Sequence, residues 1–269
     1  MTNLFNTLCA CLQNSVENRQ SFFDDEGLEL MNLILKERRK PDSETQVRLQ
    51  ALKVVNHCFS IDIEDELLKQ FCNKYIEILG LRVLMPLFEK PGSILSAKSR
   101  RKPKIVSEVE EHSITIVVAL LKHCKPENVL RLLHKFVESE FIKTERLAEL
   151  YCKYSEIVAK VDGELRSQGY NLENAEDREH LLPKRLSEGL FVLQLICQLI
   201  LTISTPNEAK GRSEEFTNQI KEKFFKILKM NPLHKGTFVE NIKKIARELS
   251  LEKSDVEGRE LIEMIEAFS

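Results

Sequence analysis

Apolar residues recur at three- and four-residue intervals along almost the whole chain, the spacing that gathers them on one face of an α-helix. Strand-like alternation of apolar and polar residues is nearly absent. The pattern predicts helices at about residues 3–14, 28–36, 43–59, 63–79, 81–89, 106–124, 127–138, 143–167, 176–203, 213–229, 233–249 and 255–267, with a shorter helical segment at 19–23. The predicted fold class is all-α.

Two polar segments interrupt this rhythm. Residues 90–107 contain two prolines and the basic run KSRRKPK, and they predict an exposed loop. Residues 163–183 are polar and acidic and predict a second loose connection. Pro86 lies inside the predicted helix 81–89, where a proline is tolerated only near the start of the helix.

Two blocks of the chain share an order of features. GLELMNLIL at 27–35 is followed by a break and VRLQALKVVNHC at 47–58. LGLRVLMPLF at 79–88 is followed by a break and EEHSITIVVALLKHC at 110–124. A short helix precedes the glycine in each block, and three helices in about 40 residues with a glycine at the sharp turn is the layout of armadillo repeats. The alternative is an irregular helical bundle with two segments that resemble each other by coincidence.

The sequence therefore predicts an armadillo/HEAT-like helical repeat array, an α-solenoid. Residues 1–125 are expected to form armadillo-like repeats with the loop at about 90–107 inserted, and residues 126–269 a less regular C-terminal helical cap, together one continuous structural unit. The chain begins on what corresponds to the third helix of a repeat, whereas solenoids normally cap such an end with a polar face. We therefore expect a fragment of a longer protein, or a chain that dimerises through this helix.

Composition narrows the functional classes. The formal net charge is −2, from 40 Lys and Arg against 42 Asp and Glu, so no overall bias favours nucleic acid or an anionic membrane. The seven cysteines lie mostly in apolar helical contexts, which indicates a reducing intracellular compartment without disulfides. The N-terminal residues lack the pattern of a signal peptide. The most apolar stretch, 190–203, is short and interrupted by polar residues, so we expect a buried helix and no membrane span.

Neither catalysis nor metal binding has support in the sequence. There is no GxG spacing, no Walker-type phosphate-binding loop and no HExxH motif. The pairs His57-Cys58 and His123-Cys124 recur at matching repeat positions, but zinc sites usually pair ligands about two to four residues apart, twice over. We therefore predict a protein that is not an enzyme and needs no metal or cofactor.

The basic run is the first candidate for function, and its cations are Lys98, Arg100, Arg101, Lys102 and Lys104. Three interpretations stay open: a solvated loop, a localisation or partner-binding segment, and a contact to RNA or other phosphates. No aromatic residue is interleaved, which disfavours stacking on single-stranded nucleic acid, so direct RNA binding is not expected.

The third helices of the repeats are the second candidate. Armadillo proteins that bind extended basic peptides often carry an asparagine ladder there, and the corresponding positions are Ala10, Asn56 and Lys122, of which only Asn56 fits. The predicted partner-binding residues are polar side chains in otherwise apolar helices: Lys53, Asn56, Lys122, Gln194 and Gln198. Ordinary solvent exposure is the alternative for each of them.

Several segments together resemble the beta-catenin-like protein 1 family. They are NLFNTLCACL at 3–12, GLELMNLILKERR at 27–39, ALKVVNH at 51–57, YIEILGLRVLMPLFEKP at 75–91, RLLHKFVE at 131–138, KTERLAELYCKY at 143–154 and RLSEGLFVLQLICQLI at 185–200. The resemblance covers the chain in order and weakens after about residue 204. The family's N-terminal half, with its basic localisation signal and earlier repeats, has no counterpart in this sequence.

The resemblance implies a nuclear protein with armadillo-like repeats that associates with the spliceosome through the Prp-nineteen-type complex. Family members bind basic, localisation-like peptides of partners, including a Myb-related splicing subunit. The function implied is therefore a protein–protein interaction scaffold for splicing-complex subunits with basic segments, and a homo-oligomer is left open. The alternative is a cytoplasmic armadillo-type regulatory subunit or transport adaptor.

Overall fold

The computed structural model describes residues 2–13, 15–37, 42–59, 65–230, 238–250 and 255–268. Regular structure within these ranges is helical and no β-strand occurs in them, although an isolated bridge joins Asn207 and Arg212. The all-α, armadillo-like fold class is confirmed.

The chain divides into two compact units. The first unit contains Met1–Lys135 and Asn207–Arg212, and the second contains Phe136–Pro206 and Ser213–Ser269. The division of the sequence at residue 125, with both parts in one continuous structural unit, stays a prediction.

The helices of the first unit are α1 (Thr2–Gln13), α2 (Val16–Asp24), α3 (Gly27–Lys36), α4 (Asp42–Phe59), α5 (Asp65–Glu77), α6 (Leu81–Glu89), α7 (Ala97–Arg100), α8 (Pro103–His123) and the start of α9 (Pro126–Ser167). Those of the second unit are the rest of α9, α10 (Ala175–Arg185), α11 (Phe191–Ser204), α12 (Glu214–Met230), α13 (Phe238–Ser250) and α14 (Asp255–Ala267).

Each repeat turns at a glycine that lies against an aromatic ring. A Cβ on Gly27 would overlap the ring of Phe22, and a Cβ on Gly80 would lie 2.5 Å from the ring of Tyr75. The residue before each glycine adopts the left-handed conformation, Glu26 with φ of 57° and Leu79 with φ of 63°. The same turn, with the aromatic residue five positions before the glycine, therefore occurs in both predicted repeats.

The third helices of these repeats pack against one another in sequence order. α4 packs against α1 on one side and α8 on the other, while α3 packs on α4, and α5 and α6 pack on α8. The groups α2–α3–α4 and α5–α6–α8 thus form two three-helix repeats, and α1 occupies the place of a preceding third helix. This arrangement fits the apolar stripes of α4 and α8, whose residues Leu52, Val55, Val117 and Leu120 are fully buried.

Arg19 on α2 connects the ends of two of these third helices. Its side chain is buried, and its Nε donates a hydrogen bond to the Leu12 carbonyl at 2.5 Å. A second guanidinium nitrogen donates to the His57 carbonyl at 3.4 Å. The last carbonyls of a helix have no partner within the helix and carry the negative end of its dipole, so a guanidinium satisfies both needs.

The segment 90–107 is ordered, so the prediction of a loop was wrong for its conformation. Pro91–Ile94 form a 3-10 turn, α7 follows, and α8 begins at Pro103, a residue suited to a first helical position. Ile94 and Leu95 are buried in the core. The Ser96 hydroxyl caps α7 by accepting a hydrogen bond from the Ser99 amide at 3.2 Å. A 3-10 turn and a four-residue helix are too short to show the 3.6-residue apolar period, so the sequence pattern did not predict them.

The connection predicted at 163–183 is also shorter than expected, because α9 continues to Ser167 and α10 begins at Ala175. The break predicted after residue 138 is present, since the backbone leaves the helical conformation from Glu138 to Phe141. The Thr144 hydroxyl crosses this break and donates a hydrogen bond to the Phe136 carbonyl at 2.9 Å.

Apart from Leu190, the apolar stretch 190–203 lies in α11, the central helix of the second unit. The stretch Ala175–Ser204, which is helical except for a kink at Glu188 and Gly189, is long and apolar enough by composition to span a membrane, but 61% of its most apolar part is buried within the protein. α11 packs against α12, α13 and α14. A mostly buried helix of this kind is typical of a folded core, as the sequence predicted.

A buried ion network holds three helices of the second unit. Arg185 at the end of α10 donates two hydrogen bonds to the Asp162 carboxylate on α9, at 2.8 and 3.1 Å. The same guanidinium lies 3.6 Å from a carboxylate oxygen of Glu248 on α13. Arg185 is only 4% exposed, so the pairing offsets the cost of taking its charge out of water.

We expect Gly80→Ala to lower the free energy of unfolding by about 1–3 kcal/mol, because the new methyl group would overlap the Tyr75 ring in a packed core. Gly27→Ala should cost less, because Phe22 is only half-buried and its ring can move. Gly163→Ala is the control, since nothing lies within 4 Å of its Cβ position in α9. That variant should be neutral or more stable by about 0.5–1 kcal/mol. Urea unfolding followed by circular dichroism measures all three, and equal effects at Gly80 and Gly163 would contradict the proposed turn geometry.

Arg185→Met should destabilise the protein by about 3 kcal/mol, because it leaves the Asp162 and Glu248 carboxylates largely buried without their cation. Arg166→Met removes an exposed arginine from the same part of the chain and should change the stability by less than about 0.5 kcal/mol. Thermal and urea unfolding of both variants test the difference. A loss for Arg185→Met no larger than that of the control would mean that the network adds nothing to stability.

Candidate partner-binding surface

Lys53 and Asn56 lie one turn apart on α4, and both are half-buried. Their neighbour His57 is half-buried as well and follows them into the last turn of the helix. The Lys53 ammonium opposes the rise that burial causes in the pKa of Cys9 on α1, and it lowers the pKa of Glu108 on α8. Lys53 therefore lies between the two neighbouring third helices, on the layer formed by α1, α4 and α8.

Glu108 and His112 face these residues from α8. The Nε2 atom of His112 lies 3.8 Å from Oε1 of Glu108, which is too long for a hydrogen bond but close enough for an ion pair if the imidazole is protonated. His112 is the largest cause that lowers the pKa of Glu108, ahead of Lys53 and Lys104. Both ring nitrogens of His112 are buried and make no hydrogen bond to any described residue.

Burial lowers the pKa of His57, and Lys53, His112 and Arg19 lower it further, because a positive charge on a neighbouring group opposes protonation of the imidazole. The structure thus brings together one lysine, two histidines and a glutamate from two consecutive third helices. We call Lys53, Asn56, His57 and Glu108 the third-helix surface, and His112 is buried beside it. Its charges have both signs, unlike a row of carboxylates built to hold a purely basic peptide.

Lys122 lies elsewhere on the first unit. It lines a groove of about 450 Å³ beside α5, together with Lys69, Asn73 and Lys125. The Asn73 side chain fixes one wall, because its carbonyl oxygen accepts hydrogen bonds from the Lys125 amide at 2.9 Å and from the Asn128 side chain at 2.8 Å. The groove wall also includes Glu66 and Glu77, so its character is polar and mixed in charge.

The two glutamines belong to the second unit. Gln194 is 1% exposed and therefore does not lie on the surface, which corrects its prediction as a partner-binding residue. The prediction depended on Gln194 being a polar residue in an otherwise apolar helix. Because other helices enclose α11 on most sides, this position faces the core. Gln198 is half-buried one turn later. A role for Gln198 in binding stays a prediction.

The basic run lies on the surface around the start of α8. Lys98, Arg101, Lys102 and Lys104 are exposed. Arg100 differs in that its Nε donates hydrogen bonds to the carbonyls of Gly92 at 2.7 Å and Leu95 at 3.0 Å. All five predicted cations are therefore exposed, and Arg100 also holds the segment in place through its hydrogen bonds.

The sequence did not single out Glu108, His112 or Arg19. The EVEEHS segment at 108–113 does carry a signal, because carboxylates interrupt an otherwise apolar helix. The repeat comparison paired His57 with His123, but it is His112 that acts on His57 in the structure. For Arg19 the sequence offers no signal, since its two acceptors come from other helices.

Metal ligands do not cluster in the described ranges, where no group of three or more His, Cys, Asp or Glu side chains could hold an ion. None of the seven cysteines forms a disulfide, and Cys9, Cys58, Cys72 and Cys197 are buried. Burial raises the pKa of Cys58 to about 12, which keeps this thiol protonated and unreactive at neutral pH.

We expect His57 to titrate below the ordinary imidazole pKa of about 6.5, and Lys53→Met to raise its pKa by removing a neighbouring positive charge. The neutral imidazole is favoured in the folded state, so its contribution to stability is complete above the unfolded pKa and is lost as the pH falls through the folded pKa. Histidine titration by NMR measures both proteins, and Lys160→Met, an exposed lysine of the second unit, is the control. An unchanged His57 pKa in Lys53→Met would show that the two side chains are not neighbours.

Comparison with known proteins places this architecture in a family. The model of a family described as catenin-beta-like, Arm-motif containing nuclear, matches residues 1–235. Beta-catenin-like protein 1 of Bos taurus is 36% identical over 256 residues, which are 92% of this chain and 40% of that protein. The Mus musculus protein is 33% identical over 284 residues, covering 100% of this chain and 45% of that protein.

A more distant relative, the beta-catenin-like protein 1 homolog of Schizosaccharomyces pombe, is 24% identical over 196 residues, which are 72% of this chain and 30% of that protein. The chain spans less than half the length of these relatives. The family's description as Arm-motif containing agrees with the three-helix repeats of the first unit. The chain belongs to the catenin-beta-like family of Arm-motif-containing proteins.

Proposed function

We propose that this chain is a non-enzymatic scaffold of the nucleus that binds subunits of the splicing machinery through the third-helix surface. The observation that supports the proposal is the packing of α4 between α1 and α8, with the Lys53 charge near enough to Glu108 to lower the pKa of that carboxyl. The family's description as nuclear and Arm-motif containing supports the compartment and the mode of action.

Binding at this surface would use rigid positioning of side chains. The helices that carry Lys53, Asn56 and Glu108 are fixed by the core below, so a partner segment meets groups that lose little freedom on binding. Glu108 is 38% exposed at its side chain and is the carboxylate available to a basic group of the partner. Lys53 can meet a carboxylate or a backbone carbonyl, and Asn56 adds an amide at the same edge.

Because the third-helix surface carries both positive and negative charge, it discriminates between partner segments and does not attract every segment of one charge. A partner segment must place an acidic or carbonyl group near Lys53 and a basic group near Glu108, whereas a uniformly basic segment would meet Lys53 with a like charge. The partner segments proposed are therefore basic overall but interrupted, and they bind as extended chains along α4 and α8.

Exchange of the two charges tests the proposal. Lys53→Glu combined with Glu108→Lys keeps the net charge but inverts the pattern, and Asn56→Ala removes the amide. Matched controls are Lys160→Glu combined with Glu164→Lys and, separately, Gln168→Ala, all at exposed positions of the second unit. Immobilised protein is exposed to nuclear extract, and bound proteins are quantified by mass spectrometry.

We expect splicing-complex subunits to be recovered on the natural chain and to fall by about tenfold on the charge-exchanged variant, which corresponds to about 1.4 kcal/mol of binding free energy. Recovery on the controls should be unchanged. If regulatory or transport factors were recovered and splicing proteins were not, the result would favour the alternative function, a cytoplasmic regulatory subunit or transport adaptor. Equal recovery of splicing-complex subunits on all variants would show that they do not bind through the third-helix surface.

A further inference from the structure

The segment between Glu89 and Glu108 concentrates positive charge. These 18 residues contain six Lys and Arg and no Asp or Glu, in a chain whose formal net charge is −2. Lys90 is paired with Glu89 at 3.1 Å, and Arg100 is bound to backbone carbonyls. The four remaining cations, Lys98, Arg101, Lys102 and Lys104, are named here the basic corner.

The basic corner has no ion pair with any residue that the structure describes. Lys98, Arg101 and Lys102 are exposed and contact no carboxylate of a described residue, and Lys104 acts only at a distance on Glu108. The first turn of α8 contains no acidic residue to offset these charges. Apart from the distant attraction between Lys104 and Glu108, their mutual repulsion is reduced by solvent and salt alone.

The corner is held in one conformation despite this repulsion. Ile94 and Leu95 anchor its start in the core, the Ser96 cap begins α7, and Pro103 begins α8. The Arg100 side chain lies along Gly92, where a Cβ would be 3.4 Å from its Cγ, and its Nε bonds two carbonyls of the preceding turn. Arg100 is thus a positioning residue, and the backbone that carries the four cations is fixed before any ligand arrives.

Preorganised cations of this kind fit a ligand with closely spaced negative charges. Seven residues in helical and turn conformation extend over only about 10 Å, a length that an extended peptide covers in about three residues. Ordering of the corner costs little on binding because the core has already fixed it, which a disordered basic tail could not offer.

The chemistry favours an acidic peptide over a nucleic acid. The segment 90–107 contains no aromatic residue on which a base could stack. The corner is also too small to follow a long phosphate backbone, whose binding draws on many cations along a groove. A short run of Asp and Glu needs only carboxylate pairs with Lys and Arg, which the four side chains supply.

We propose that the basic corner is a docking site for an acidic, Asp/Glu-rich segment of a partner protein. The site uses side chains different from those of the third-helix surface, so it does not depend on the function proposed above. Lys98, Arg101, Lys102 and Lys104 bind the carboxylates, and Arg100 keeps the corner folded.

Fluorescence anisotropy with the full chain tests this site. The probe is a fluorescein-labelled peptide of about twelve residues that alternates Glu with Ser, and its control carries Gln in place of every Glu. The corner variant combines Lys98→Gln, Arg101→Gln, Lys102→Gln and Lys104→Gln and leaves Arg100 in place. The matched control combines Lys160→Gln, Arg166→Gln, Lys184→Gln and Lys226→Gln, four exposed cations of the second unit with the same total charge.

The Glu peptide should bind the natural chain and the matched control equally, within about twofold, and bind the corner variant about tenfold or more weakly, since exposed pairs are individually modest but act together. Raising the salt from about 0.05 to about 0.3 M should also weaken binding to the natural chain, a measurement that needs no variant. Circular dichroism verifies that the corner variant is folded.

Three results would overturn the inference. They are equal binding of the Glu and Gln peptides, an equal loss of affinity in the matched control, and tighter binding of an oligouridylate through the same four residues. The last result would assign the corner to RNA. Success or failure here leaves the charge exchange at Lys53 and Glu108 to be judged by its own experiment.

Discussion

The turn between the first and second helices of each repeat requires a residue without a side chain, because an aromatic ring occupies the position of its Cβ. At Gly27 the ring belongs to Phe22, and at Gly80 it belongs to Tyr75. The close approach sets the angle at which α3 leaves α2 and α6 leaves α5. With these angles fixed, α4 and α8 are brought to lie side by side, and α1 completes the layer. The third-helix surface exists because of that layer, since its side chains come from neighbouring helices and not from one.

Two buried arginines, Arg19 and Arg185, join helix ends or separate helices. Arg19 satisfies carbonyls at the ends of α1 and α4, and Arg185 joins α9, α10 and α13 of the second unit through two carboxylates. Apolar contacts alone would allow these helices to slide along one another. A guanidinium with fixed acceptors permits one register, so these two residues add specificity to packing that hydrophobic burial already favours.

Much of the fold could be predicted from local patterns. The 3.6-residue period located most helices, and the repeated glycine identified the turns that Phe22 and Tyr75 cover. Contacts between distant residues could not be obtained in this way. The Arg19 side chain reaches a carbonyl 38 residues away, and the order of the 90–107 segment depends on Arg100 reaching back to Gly92. The prediction that Gln194 lies on the surface failed for a related reason. Periodicity shows which residues share a face of a helix, but it does not show how many of those faces are covered by neighbouring helices.

The basic corner and the third-helix surface are linked electrostatically through α8. Lys104 belongs to the corner and lies one turn before Glu108, whose pKa it helps to lower. An anionic ligand on the basic corner would offset the field of Lys104 and make the ionised form of Glu108 less favourable. A cation placed beside Glu108 would instead add to the repulsion among the cations of the basic corner. Acidic and basic partner segments bound to the two places at once would relieve both effects, because each would compensate the charge that the other leaves exposed. The arrangement therefore favours a partner, or a pair of partners, that presents both signs of charge to the same edge of α8.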